Sequence, residues 1–76
     1  MREVRLFAAA ADAAGVESIE VEADSVEGLR EHLAMRFGPE FERILAQCSL
    51  LADGKKISSG PLTAGRVDIL PPFAGG

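Results

Sequence analysis

The sequence predicts an α+β domain in which one main helix packs on one face of a mixed β-sheet and leaves the other face open to solvent. Three observations carry that prediction. Apolar and polar residues alternate with period two at 2–8, 17–23 and 66–70. One apolar stripe at helical spacing, Val26, Leu29, Leu33 and Phe37, lies between the second and third of these stretches. The segment "CSLLADGKKIS" carries Asp53-Gly54, a strong hairpin turn dipeptide, between two short strand-like runs. A single helical stripe covers one face of a sheet, and the alternation makes the opposite face mostly polar.

Each element has its local reason. In the first strand, 2–8, Val4, Leu6 and Ala8 face inward, while Glu3, Arg5 and Phe7 face out. The alanine-rich run 9–15 ends at Gly15, which predicts a short helix with a glycine stop. In 17–23, Ile19 and Val21 face in, while Ser18, Glu20 and Glu22 face out. Asp24 and Ser25 are the candidate N-caps of the main helix, and Asp24 with Glu27 has the spacing of a capping box. Gly38 can end that helix. Pro39 can start the next, since its missing N–H costs nothing at a first helical position. Phe41, Ile44 and Leu45 then form an inner face. In the hairpin, Cys48, Leu50 and Ala52 point one way and Leu51 the other. Gly60-Pro61 and Gly65 mark loops around a short Leu62 segment. In the last strand Val67 and Ile69 alternate with Arg66, Asp68 and Leu70, and Pro71 ends it by removing a ladder donor.

Seventy-six residues predict one domain, 1–76, with a small core. Such a chain has little room for an enzyme pocket of roughly 300–1,000 Å³, so catalysis by the chain alone is not expected. The net charge of −4 argues against nucleic acid and suits a partner with a basic docking surface. Cys48 is the only cysteine, which rules out an internal disulfide and points to a reducing, cytoplasmic setting. His32 is the only histidine, so a multi-histidine metal site is not expected. The N-terminal "MREVRLFAAAADAAG" imitates a signal peptide, but its apolar run from Leu6 to Ala11 is short and Asp12 closes it. No stretch approaches membrane-spanning length. Cys48 reads as a small core residue, His32 as lying on the solvent flank of its helix, and Lys55-Lys56 as a solvated pair.

Two features are left over. Phe7, Leu51 and Leu70 are large apolar residues on the outward side of their strands, and on neighbouring strands they would form one docking patch. Phe7 is then expected to matter more for partner binding than for folding. The chain also ends in "LPPFAGG". Pro71-Pro72 is stiff and extended, predicting a projecting tail over 71–76. Gly75 and Gly76 carry no side chain, so they can thread a narrow channel and leave a terminal carboxylate sterically open.

The stretch "VDILPPFAGG" resembles the C-terminus of the small sulfur-carrier subunit of molybdopterin synthase, the MoaD-like family of ubiquitin-like β-grasp proteins. The resemblance extends over the chain in length, element order, the Asp53-Gly54 hairpin and the Pro-Pro step, and its specific part is the last ten residues. It implies that the last strand lies centrally, parallel to the first and beside the strand before the hairpin turn. That arrangement would place Phe7, Leu70 and Leu51 on adjacent strands. Many relatives carry a Gly-Asp-Glu or Gly-Asp-Arg turn before the final strand. Here the stretch is Thr63-Ala64-Gly65-Arg66, without an acid.

The resemblance also implies a mechanism. An adenylating partner of the ubiquitin-activating, MoeB-like type would use ATP and magnesium to convert the Gly76 carboxylate into an acyl-adenylate. The domain itself would bind no cofactor. A persulfide sulfur would displace AMP, leaving a thiocarboxylate on Gly76. The MoaE-like large subunit would receive the tail, and the sulfur would pass to a pterin precursor. Gly75 would provide clearance, Ala74 continue the arm, Pro71 and Pro72 set its reach, and Phe73 anchor it on the partner together with Phe7, Leu51 and Leu70. Two other readings share this chemistry: a ThiS-like sulfur carrier for thiazole synthesis, and a ubiquitin-like modifier joined through Gly76 to a lysine. An interaction module with an inert terminus is a third.

Overall fold

The computed structural model describes residues 1–72. Five strands and three helices follow in the order β1 (Arg2–Leu6), α1 (Ala8–Ala14), β2 (Ser18–Val21), α2 (Val26–Phe37), α3 (Pro39–Leu45), β3 (Ser49–Ala52), β4 (Lys55–Ile57) and β5 (Arg66–Leu70). The strands form one sheet in the order β2-β1-β5-β3-β4. β1 and β5 run parallel, and the other neighbours are antiparallel. The last strand is therefore the central one, as the family resemblance implied.

The inner face of the sheet carries Val4, Leu6, Val21, Leu50, Val67 and Ile69, and the helices cover it with Leu29, Leu33, Phe41 and Leu45. All ten are at most 3% exposed. A leucine or isoleucine buried this completely contributes about 1.5–3 kcal/mol, so this layer is the main source of stability. Phe37 is only partly buried and leans on Phe41, with ring centroids 5.0 Å apart and planes tilted by 52°. Gly38, at φ 96°, is at once the C-cap of α2 and the N-cap of α3. A side chain there would be forced into the left-handed region, which lets glycine join two helices without a loop.

The hairpin turn forms as its residues dictate. Asp53 and Gly54 both have positive φ, 49° and 86°, as a type I′ turn requires. Ser25 caps α2, its hydroxyl accepting from the Gly28 amide at 3.0 Å. The capping box with Asp24 does not form. Glu27 is the second helical residue rather than the third, and both its carboxylate oxygens accept from the Gly60 amide at 3.2 Å. The loop before β5 is tied down there: the Leu62 amide donates to the Asp24 carbonyl at 2.8 Å, and Leu62 is buried.

Two further expectations change. The first strand stops at Leu6, so Ala8 does not face the core. It opens α1 at φ 50° and is exposed, because the alanine-rich run takes up helix one residue earlier than expected. The second strand is also shorter than the alternation suggested, covering Ser18–Val21. Arg2 shares a face with Val4, on the core side, where its guanidinium donates to the carbonyls of Ala23 and Ala64, each at 2.5 Å. One fork thus fastens β1 to the segments after β2 and before β5, and the Ala64 carbonyl supplies an acceptor in a turn that has no acid.

Candidate functional site

The site is built on the outer sheet face, and pairing register assembles it. Leu70 lies opposite Ser49, and Leu51 lies two residues further along the same strand, so the two leucines are diagonal neighbours. β1 runs beside β5 with Leu6 level with Ile69, and the Phe7 amide donates to the Ile69 carbonyl at 3.2 Å. Phe7 therefore continues the strand line next to Leu70. The structure brings the three outward apolar residues together at the end of the sheet where β5 finishes. Phe7 remains 37% exposed, while Leu51 and Leu70 are half-buried by their neighbours.

The rest of the face is charged. One row across all five strands reads Ser18, Arg5, Asp68, Leu51, Lys56. The next row, further from the apolar corner, holds Glu20, Glu3 and Arg66. Glu3 and Glu20 are directly opposite, an unfavourable like-charge pair that Arg5 relieves by approaching Glu3 at 4.0 Å. Arg66 binds Asp68 through two hydrogen bonds of 3.1 and 3.2 Å. That bond, with the charge of Asp68, pushes the Arg66 guanidinium pKa further up, so the group stays charged at any working pH.

Pro71 is buried and Pro72 is exposed. The arm expected to begin at Pro71 thus begins no earlier than Pro72, because the first proline ring packs into the body of the domain. Phe73, Ala74, Gly75 and Gly76 lie outside the described residues.

The bland readings of the other singled-out residues hold. The Cys48 thiol is buried and donates to the Ile44 carbonyl at 3.1 Å. Burial pushes its pKa up, and the charge of Arg30 only partly opposes this, so it is a poor nucleophile. His32, Lys55 and Lys56 are exposed. Sequence reasoning missed a groove of about 250 Å³ beside Phe7, lined by Arg5, Ala8, Ala11 and Glu17. Its walls come from β1, α1 and the approach to β2, which no periodicity connects. A larger groove of about 510 Å³ opens to solvent between α2 and α3, past Arg30, Met35 and Glu42. Among the described residues no helix is long and apolar enough to cross a membrane.

No protein-family model matches the sequence. No curated protein matches it either. Among solved structures the chain is similar to the crystal structure of SAMP1 from Haloferax volcanii, with a TM-score of 0.72 and 24% sequence identity over 99% of this chain and 98% of that one. The fold is a ubiquitin-like β-grasp. In this β-grasp the helices occupy one face, so contacts through the sheet are left to the outer face and to the end of the central strand.

Proposed function

We propose that this β-grasp protein is a sulfur carrier that acts through the carboxyl group of Gly76. An adenylating enzyme uses ATP and magnesium to form the Gly76 acyl-adenylate. The carboxylate oxygen attacks the α-phosphorus of ATP, and pyrophosphate leaves. A persulfide sulfur on a partner then attacks the carbonyl carbon and AMP leaves. Reductive cleavage of the resulting acyl disulfide by a thiol yields the thiocarboxylate. In the finer form of the proposal, the acceptor is a pterin precursor held by the large subunit of a molybdopterin synthase.

One observation carries the proposal. The central strand β5 ends at the corner where Phe7 and Leu70 meet, and the chain passes from that corner into Pro72 and the Phe-Ala-Gly-Gly sequence. An apolar patch at the root of a sequence that ends in two glycines is what a partner needs if it is to grip the body and thread the end. A carboxylate is a poor electrophile, so the activating chemistry must come from that partner. The division fits a domain whose described grooves, beside Phe7 and between α2 and α3, lie open to solvent.

A second reading, a ubiquitin-like protein modifier joined through Gly76 to a lysine, is compatible with the same fold, which this chain shares with SAMP1. Intact mass spectrometry after incubation with ATP, magnesium, a MoeB-like enzyme and a persulfide donor separates them. Replacement of one terminal oxygen by sulfur supports the carrier, and an isopeptide to a lysine of another protein supports the modifier. An unchanged mass under conditions that charge a control carrier refutes both. Deleting Gly76 is expected to abolish sulfur transfer and leave thermal unfolding unchanged.

A further inference from the structure

The three helices are not equally secured. α2 has a side-chain cap from Ser25, Glu27 in its first turn and Arg36 in its last. α3 opens on Pro39, with Glu40 and Glu42 in its first turn and Arg43 in its last. Both sink large side chains into the core, Val26, Leu29 and Leu33 from α2 and Phe41 and Leu45 from α3. α1 has none of these supports. Its N-cap, Phe7, makes no side-chain cap, its first turn has no acid and its last turn no base. Asp12 instead sits near the C-terminal end, where the helix dipole opposes a negative charge. Only Ala10 is fully buried, with Ala11, Ala13 and Ala14 partly so, and methyl groups remove little apolar area from water. Ala8, the first residue, is held at φ 50°, a left-handed conformation that is strained for alanine and natural for glycine. Alanine is the best helix former, but α1 has seven residues, well short of the ~12–15 at which an isolated helix becomes marginal in water.

Phe7 joins this weakly held helix to the apolar corner. Its amide donates to the Ile69 carbonyl on β5 at 3.2 Å, and its carbonyl accepts from the Ala10 amide of α1 at 3.0 Å. The groove beside it takes two of its walls, Ala8 and Ala11, from α1. We infer that α1 unwinds and rewinds as a unit of its own, pivoting at Ala8 while the sheet, α2 and α3 stay folded, and that Phe7 moves with it. The wound state holds Phe7 beside Leu70 and keeps the groove. The unwound state dissolves the groove and frees the Phe7 amide from Ile69. α1 is thus a latch on the corner. Its functional consequence rests on the carrier reading: a partner that grips the corner binds the wound state, so docking and winding reinforce each other. The unwinding itself needs no activation of Gly76.

Native-state hydrogen exchange of the full chain, read amide by amide by NMR in dilute urea, tests the inference. After correction for intrinsic rates, the amides of Asp12, Ala13, Ala14 and Gly15 should exchange about tenfold or more faster than the bonded amides of β1, β3 and β5, with little urea dependence. The Phe7 amide should exchange with α1 rather than with the strand it bonds. Asp12→Lys places a charge that suits the helix end, and Ala8→Gly relieves the left-handed residue. Each should slow exchange in α1 and at Phe7 several-fold and leave the sheet amides as they were. Ala9→Gly, at an exposed position, should speed exchange in α1 and at Phe7 by roughly three- to fivefold, again without touching the sheet. Equal protection of α1 and the sheet, a Phe7 amide as slow as the sheet, or variants that shift helix and sheet alike overturn the inference. An α1 as protected as the sheet in a chain that still acquires a thiocarboxylate refutes the latch and leaves the carrier. An α1 that opens by itself in a chain never charged by a competent activating system does the reverse.

Discussion

Phe7→Ala separates the part Phe7 plays in the body of the domain from the part it can play in docking. Fully burying a phenylalanine side chain contributes about 1.5–3 kcal/mol. Phe7 is 37% exposed in the free chain, so most of that contribution is already made within the domain. Truncation is expected to cost about 1–2 kcal/mol of folding stability by the same area scale. A partner can bury only the remainder, so the loss of affinity is expected to be about 0.5–1 kcal/mol, or roughly two- to fivefold. The sequence pattern suggests the opposite proportion, in which Phe7 is mainly a docking residue, and the measurement decides between them. Urea denaturation gives the first quantity, and titration calorimetry against an adenylating enzyme gives the second. An unchanged unfolding midpoint together with a hundredfold loss of affinity would refute the reasoning, because it would make Phe7 a hot spot rather than a wall of the domain.

Three more outcomes follow from the structure. Arg2→Met leaves the Ala23 and Ala64 carbonyls without their donor and is expected to cost about 1–3 kcal/mol in chemical denaturation; Arg2→Lys should not rescue it, because one ammonium group cannot reproduce the fork. Ser25→Ala removes the α2 cap and should cost about 1 kcal/mol by the same assay, with Ser25→Asp close to wild type. The folded-state pKa of Cys48 is raised above its ordinary value of 9.0, so the unfolded chain loses that proton first. The stability this shift contributes is present below pH 9.0 and is lost as the pH rises towards the folded-state pKa. Unfolding midpoints from pH titrations of wild type and Cys48→Ala should diverge in that direction, and thiol alkylation of the native protein should be slow at neutral pH.

Much of this protein can be read locally. Period-two alternation located the sheet strands, the Val26–Phe37 stripe located the main helix, and Asp53-Gly54 located the hairpin, because each is set by residues a few positions apart. The outward side of Phe7, Leu51 and Leu70 was equally legible, since a strand residue's face follows from its parity. The capping box failed because the sequence spacing does not say where the first helical turn begins, and one residue's offset sent Glu27 to Gly60 instead. Ala8 failed because alternation cannot show where a strand gives way to an alanine-rich helix.

By itself, then, the sequence determined which segments are strands and helices and which side chains leave each strand on the outer side. Which strands are neighbours was beyond its pattern and came only from the tertiary structure, with the resemblance to a known family as the sole advance notice. β5 and β1 are separated by about sixty residues, and nothing local encodes their pairing. That pairing gathers Phe7, Leu70 and Leu51 into one corner, buries Pro71, and brings the carbonyls of Ala23 and Ala64 within reach of one arginine. The physical reason is common to all three: parity fixes the direction of a side chain, whereas contact between distant segments is decided by how the whole core closes.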